Sequence, residues 1–182
     1  PVDENFQSRC PGVYAAGDVI GFPALASVSM EQARVAMSHA FGLGQKQQVS
    51  PLLPYGIYTI PEVSSVGETE QGARARGLDI VMGEALYRDN ARGRITGDLE
   101  GVTKLVVERE TRALVGCHVI GERASELVHI GLAVMKLQGT IDVFVDMVFN
   151  YPTLSESFKY AAYDAIARLD SADIPEAASK TG

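Results

Sequence analysis

The sequence predicts an α+β protein in which an antiparallel β-sheet is flanked by helices and is preceded by a strand and a helix of α/β type. The main observation is a hairpin pattern: segments 102–109 and 113–120 alternate between apolar and polar residues and are joined by only three residues. An amphipathic helix pattern follows over 122–138, with Gly139 as its stop. A polar, glutamine-rich stretch at 44–54 separates these elements from the earlier part of the chain.

The part before this stretch shows one strand pattern and one helix pattern. A short apolar run at 13–16 is bounded by Gly17, as expected of a buried strand, and Asp18 follows directly. Ligands of open α/β sheets bind beyond the carboxyl ends of strands, where an Asp carboxylate accepts hydrogen bonds from sugar-like hydroxyls. The alternative is an Asp that closes a turn. Segment 25–41 predicts a helix whose small residues permit close packing.

The linker at 44–54 indicates a domain boundary near residue 50. Beyond it, the patterns predict short strands at 57–60 and 63–66, a helix over 69–76 and a strand at 80–87. Together with the hairpin, these strands form an antiparallel sheet of several strands.

Charge excludes two classes of partner. The formal net charge is -7 and the pI is near 5.0, so nucleic acid and an anionic membrane surface would be repelled. No apolar run approaches the roughly 20 residues that a membrane-spanning helix needs. We therefore expect no nucleic acid and no membrane as partner.

The cysteines and the first residues indicate the compartment and the extent of the chain. Cys10 and Cys117 are far apart and outside any C-x-x-C pattern, which argues against a disulfide framework or a zinc site. A reducing cytoplasm is the expected location. Because the chain starts at Pro1 with no initiator Met, we expect it to be part of a longer protein.

The three histidines do not predict a metal site. His39, His118 and His129 each lack a second metal-ligating residue at helical spacing, so no metal is expected.

The segment FNYPTLSE at 149–156 is the most distinctive stretch of the chain. Pro152 favours an extended Tyr151, and Thr153 with Glu156 three residues later matches a capping box, which predicts a helix that runs to about residue 169. Such a turn is either a site that displays its first side chains or simply a well-made helix start. The small and polar residues at 171–182 predict a disordered tail.

Three motifs in order resemble those of the flavin-dependent pyridine nucleotide-disulfide oxidoreductases. They are VYAAGD at 13–18, PEVSSVG at 61–67 followed by Thr69 and Glu70, and YPTLSE at 151–156. The resemblance covers about residues 1–169. It implies that residues 1–50 form the C-terminal end of an FAD-binding domain and that residues 51–170 form the family's dimerisation domain.

The resemblance also implies cofactor contacts and a homodimer. Asp18 would accept a hydrogen bond from the ribityl chain of FAD, while Leu25, Ala26 and Ser27 would approach the flavin ring through their backbone at a helix N-terminus. The C-terminal motif of one subunit would complete the active site of the other.

One departure from the family pattern separates two activities. Disulfide-reducing members carry His before the Pro-Thr pair, held by a Glu five residues later; here the position is Tyr151, while Glu156 is kept. A phenol with a pKa near 10 would cost roughly 4 kcal/mol as a base at pH 7. Tyr151 and Glu156 are the candidate catalytic residues, the alternatives being a packing role for Tyr151 and a capping role for Glu156.

Tyr151 and the run GIYTIPE at 56–62 are most similar to members that transfer hydride between NADPH and NAD through FAD. This activity is the expectation for the full-length protein. Two alternatives stay open: a dihydrolipoamide dehydrogenase-type disulfide reductase with an altered base and, for the isolated chain, a non-catalytic dimerisation module that retains no cofactor.

Overall fold

The computed structural model describes residues 1–172 of the chain, and the side chains of residues 1–170. The chain divides into two compact units, Pro1–Leu53 and a second that begins at Pro54, and each is described by itself. Within the described residues, no helix combines the length and the apolar character needed to cross a membrane. Apart from its first two residues, which end the last helix, the tail expected at 171–182 lies outside the described part.

The first unit is built on helix α1, Ala26–Ala40, which confirms the helix expected over 25–41. Its buried face is partly polar: Gln32 and Ser38 are buried together with Val28 and Val35. Their side chains accept hydrogen bonds from the backbone, the Gln32 amide oxygen from Gly17 N at 2.7 Å, and the Ser38 hydroxyl from Lys46 N at 3.2 Å. The helix is thus fixed to the loops around it by buried polar contacts.

The segment expected as a strand at 13–16 does not form a continuous β-ladder with another described segment. Tyr14 forms a single antiparallel bridge with Gln7, and Val13 is 51% exposed. A strand needs paired neighbours, and among the described residues this segment has one bridge partner only.

The second unit contains one sheet of five strands within the described residues, all paired antiparallel. The spatial order is β1-β2-β5-β4-β3. The strands are β1 Tyr55–Ile57, β2 Val63–Gly67, β3 Ile80–Leu86, β4 Val102–Glu108 and β5 Leu114–Ile120. The predicted α+β class with an antiparallel sheet flanked by helices is confirmed, as is the β4–β5 hairpin.

The expected strand at 57–60 is wrong by two to three residues. β1 ends at Ile57, which pairs with Val63, and the residues between them form the connecting loop. Pro61 lacks an N–H, and its carbonyl accepts the Thr59 hydroxyl at 2.7 Å, so these residues close the loop instead of extending the ladder.

Helices cover the sheet unequally. On one face, α4 (Ala124–Lys136), α5 (Asp142–Asp146) and α6 (Ser157–Ala172) enclose the main core. On the other, α2 (Glu70–Ala75) covers a smaller cluster of Ala73, Ile80 and Val106. The large, fully buried side chains of the main core include Tyr87, Leu105, Val119, Ile141, Phe144 and Phe158.

The end of α4 differs from the expected glycine stop. Gln138, not Gly139, has the left-handed conformation, with φ of 55°. Gln138 N donates to Met135 O and Gly139 N to Val134 O, which is a Schellman motif. Gly139 serves instead as a position of close approach, because a Cβ there would lie 2.8 Å from a methyl group of Val134.

A short helix between β3 and β4 was missed. It is α3, Ala91–Thr96, and it follows a 3-10 turn at Tyr87–Asp89. Six residues whose only large apolar side chain is Ile95 carry too little periodicity to be recognised.

Candidate functional site

The loop at 150–153 leads into α6 and carries Tyr151. The capping box expected here is wrong: the hydroxyl of Thr153 donates to the carbonyl of Asn150 at 2.7 Å and caps no N–H of the helix. The first turn, Leu154–Glu156, is 3-10, and α6 proper begins at Ser157. The Thr153 hydroxyl therefore closes the loop on itself instead of starting the helix.

Two anchors behind the loop hold it against the sheet. Leu154 is buried, and the hydroxyl of Ser157 lies 2.7 Å from that of Thr103 on β4 in the fully buried core. The position of the first turn of α6 is thus set by the sheet.

Asn90 joins the loop to α3. Its side chain is only 4% exposed, and its amide nitrogen donates to Thr153 O at 3.0 Å. Its amide oxygen accepts from Arg92 N at 2.9 Å and Gly93 N at 3.2 Å, which caps α3. Asn90 itself is placed by Tyr87, whose carbonyl accepts Asn90 N at 3.0 Å.

Arg92 binds the preceding carbonyl of the loop. Its Nη2 and Nε both donate to Pro152 O, at 2.9 and 3.2 Å. Sequence reasoning missed Asn90 and Arg92. An Asn before a short helix is a recognisable capping residue, but no local pattern shows a partner about 60 residues away.

Tyr151 stands out from this fixed backbone. Its side chain is 72% exposed, while Pro152 and Thr153 are half-buried. The phenol is therefore available to a group outside the described chain.

Glu156 lies one 3-10 turn further on and is engaged elsewhere. Within the described part of the chain, its hydrogen-bond donor is the phenol of Tyr160, at a long 3.5 Å, and not Tyr151. The pKa of Tyr160 is raised, mainly by the negative charge of the Glu156 carboxylate and secondly by desolvation. Tyr151 and Glu156 thus lie on the same segment, but the structure does not join them as an acid–base pair.

A cavity of about 370 Å³ opens beside the loop. Its lining combines two guanidinium groups with two carboxylates, so its charge is balanced. The side chains that line it are Arg92, Glu122, Arg123, Glu126, Leu127, Ile130, Thr153, Leu154 and Ser155.

In the first unit, the proposed cofactor residues lie on two short stretches. Asp18 is exposed and begins the 3-10 turn Asp18–Ile20. Leu25 is the N-cap residue of α1, no side chain caps this end within the described residues, and Ala26 and Ser27 are exposed. An exposed carboxylate and open N–H donors at the start of a 15-residue helix suit a ligand with hydroxyl groups and developing negative charge.

The two cysteines and the possible metal ligands do not form a further reactive site among the described residues. Burial raises the pKa of the Cys117 thiol to about 12, so this thiol stays protonated at neutral pH. Cys10 is exposed and unpaired. Among the described residues, no three His, Cys, Asp or Glu side chains group together as metal ligands would.

Comparison with protein families assigns the second unit. Residues 53–162 match the model of the pyridine nucleotide-disulphide oxidoreductase dimerisation domain. The chain belongs to this family. The resemblance expected from the three sequence motifs is confirmed.

Two relatives from different organisms have the same name. A soluble pyridine nucleotide transhydrogenase of Mycobacterium bovis is 49% identical over 168 residues, which are 92% of this chain and 36% of the relative. One of Marinomonas sp. is 43% identical over 171 residues, with 92% and 37% covered. The chain thus spans little more than a third of the length of these relatives.

Two solved structures share the fold of this chain. LpdA of Mycobacterium tuberculosis superposes with a TM-score of 0.79 at 29% identity, over 89% of this chain and 35% of that one. The HOCl-induced flavoprotein disulfide reductase RclA of Escherichia coli superposes with a TM-score of 0.84 at 26% identity, over 90% and 37%.

Proposed function

We propose that this chain is the C-terminal portion of a homodimeric flavoprotein that transfers hydride between NADPH and NAD through FAD. Residues 1–50 would form the end of the FAD-binding domain, and residues 51–170 would supply dimerisation and the loop that reaches the partner's flavin. The relatives at 43–49% identity, which are named soluble pyridine nucleotide transhydrogenases, support this assignment.

The observation that carries the proposal is Tyr151 itself. The backbone that follows it is anchored through the carbonyls of Pro152 and Thr153, whereas its side chain is 72% exposed, which is the arrangement expected of a residue that acts on a neighbouring subunit. Hydride transfer between nicotinamides does not require a residue that moves a proton to or from a sulfur atom. A phenol at this position is therefore compatible with it. A dithiol reaction at pH 7 would require the phenol to give up its proton, at a cost of roughly 4 kcal/mol.

FAD would be held in part by the first unit of this chain. Bound FAD supplies a ring that accepts hydride from one nicotinamide and passes it to another. Asp18 would accept a hydrogen bond from its ribityl hydroxyls, and the backbone at Leu25, Ala26 and Ser27 would face the ring. The uncapped start of α1 would stabilise negative charge there.

The direct test uses the full-length protein. Purified holoenzyme should transfer hydride from NADPH to a thionicotinamide analogue of NAD, read by absorbance, without any disulfide substrate. Efficient oxidation of dihydrolipoamide with no exchange between the nucleotides would overturn the proposal.

The second candidate is a disulfide reductase with an altered base. Two observations favour it: the likeness to RclA, which is named a disulfide reductase, and the presence of Glu156, the counterpart of the residue that would hold the histidine of such enzymes. The same assay decides between the two, because this candidate requires reduction or oxidation of a sulfur substrate.

The 182-residue chain alone should behave as a dimerisation module. We expect a colourless dimer by absorbance and sedimentation, and a yellow, flavin-loaded protein would contradict this. Two unpaired cysteines suit the reducing cytoplasm as its location.

A further inference from the structure

The anchoring of the loop at 150–153 comes from one short segment. The two carbonyls that follow Tyr151, those of Pro152 and Thr153, each accept hydrogen bonds from a side chain of the β3–β4 connection. Pro152 has no N–H of its own, so its carbonyl is the backbone group by which it can be held. The Thr153 hydroxyl then ties back to Asn150 and closes the loop around Tyr151.

Helix capping alone does not account for Asn90. The cap of α3 uses only its amide oxygen, and a Ser or Asp side chain would serve as well. The amide nitrogen has a separate bond, to Thr153 O at 3.0 Å, in a site that is almost fully buried. The amide nitrogen of Asn90 thus holds the loop, while the amide oxygen caps α3.

Surface charge pairing does not account for Arg92 either. Within the described part of the chain its guanidinium makes no ion pair, although acidic side chains are abundant. Both of its donated bonds go to one neutral carbonyl, that of Pro152. A charged donor makes a stronger hydrogen bond than a neutral one, so this carbonyl is held firmly.

We propose that Asn90 and Arg92 are positioning residues that hold Tyr151 in the orientation it needs at the partner's flavin. Without these bonds the loop that carries Tyr151 would be flexible, and it would lose conformational entropy when the ring reaches the flavin. A loop that is already ordered avoids this entropic cost. The inference rests on the proposed function for what Tyr151 faces, but the anchoring itself can be tested separately.

Variants in the full-length holoenzyme separate anchoring from folding. Asn90→Ser keeps a good capping residue and removes the amide donor to Thr153. Arg92→Gln removes the charge at an exposed side chain, and Arg92→Lys restores a charged donor. Arg94→Gln is the matched control on the same helix, because Arg94 donates to Arg88 O at 2.6 Å and not to the loop.

The first measurement is amide hydrogen exchange of a peptide that covers residues 148–156. Loss of the bonds from one anchoring side chain should speed exchange there about tenfold in Asn90→Ser and Arg92→Gln, with recovery in Arg92→Lys and no change in Arg94→Gln. Unchanged exchange in both anchor variants would overturn the inference. Since Arg92 is exposed, its variant stays informative even if Asn90→Ser folds poorly.

The second measurement is the fluorescence lifetime of the bound flavin, which a tyrosine ring in contact shortens by electron transfer. Tyr151→Phe should lengthen the lifetime, and both anchor variants should shift it towards the Tyr151→Phe value, while Arg94→Gln matches the parent. If Tyr151→Phe lengthens the lifetime and neither anchor variant does, positioning is overturned.

A lifetime that Tyr151→Phe leaves unchanged would instead contradict the proposed placement of Tyr151 at the flavin. Positioning at the flavin would then fail with it, and the exchange result alone would decide whether Asn90 and Arg92 anchor the loop. The two failures are therefore distinguishable.

Discussion

The hydroxyls of Thr103 and Ser157 lie 2.7 Å apart in the core, where neither residue is exposed by more than 1%. This bond joins β4 to the first residue of α6, directly behind the loop of Tyr151. Either single change, Thr103→Val or Ser157→Ala, leaves the other hydroxyl buried without its partner. We expect each to lower the free energy of unfolding by about 1–3 kcal/mol.

The double variant provides the control for this bond. Replacing both hydroxyls leaves no orphaned group, so its loss should be clearly smaller than the sum of the two single losses in urea denaturation. Strictly additive losses would show that the hydroxyls do not interact.

Gly83 is a point of close approach between β3 and α6. A Cβ there would overlap the carbonyl oxygen of Ala161 and lie 2.7 Å from the Cβ of Ala165. Because the nearest obstacle is backbone, Gly83→Ala should displace α6 and lower the free energy of unfolding by about 3 kcal/mol or more.

Gly56→Ala is the matched control for this prediction. Gly56 is also a strand glycine, and the nearest atom to its added Cβ is the Tyr58 hydroxyl at 3.4 Å. This variant should keep nearly the parent stability, and equal losses in the two variants would refute the steric explanation.

Local patterns explain which parts of the fold could be predicted. The β4–β5 hairpin, α2 and α4 each have a periodicity and an end signal within a few residues, and all three were predicted. The Thr153–Glu156 pattern misled because the hydroxyl found a nearer acceptor, the carbonyl of Asn150, which competes with capping.

The anchors of the candidate site could not be predicted from local patterns. Asn90 and Thr153 are 63 residues apart, as are Glu62 and Ser125, and Thr103 and Ser157 are 54 apart. Each pair is formed by the sheet topology, which brings the β3–β4 connection and β4 to the start of α6, and the β1–β2 loop to the start of α4. A motif indicates which loop matters, but not which distant side chains hold it.

Glu62 caps α4 from a distance. Its carboxylate accepts hydrogen bonds from Ser125 N at 3.0 Å and from the Ser125 hydroxyl at 2.7 Å, and these two bonds lower the pKa of Glu62 from its ordinary 4.5. A lowered folded-state pKa adds stability above the unfolded value, and this is lost as the pH falls through the folded value.

Glu62→Gln keeps an acceptor and removes the charge near the start of α4. The variant should therefore be less stable than the parent by about 0.3–1 kcal/mol at pH 7, and the difference should shrink as the pH falls below about 4.5. Urea denaturation at a series of pH values measures this. Glu110→Gln, in the exposed β4–β5 turn, should show no such trend, and a Glu62 difference that is constant with pH would rule out the charge as its origin.

The role of Tyr151 can be resolved by removing its hydroxyl and its ring in turn. If hydride passes without a proton from this side chain, Tyr151→Phe in the full-length holoenzyme should retain kcat for transfer from NADPH to the NAD analogue within about threefold. A general acid or base contributes on the order of a hundredfold or more, so a loss of that size in Tyr151→Phe would assign the phenol a proton-transfer role.

Tyr151→Ala should lose at least about tenfold in kcat, because the aromatic surface at the flavin is gone. Tyr163→Phe, which changes another exposed tyrosine, on the α6 helix that follows the loop, is the matched control and should leave kcat unchanged.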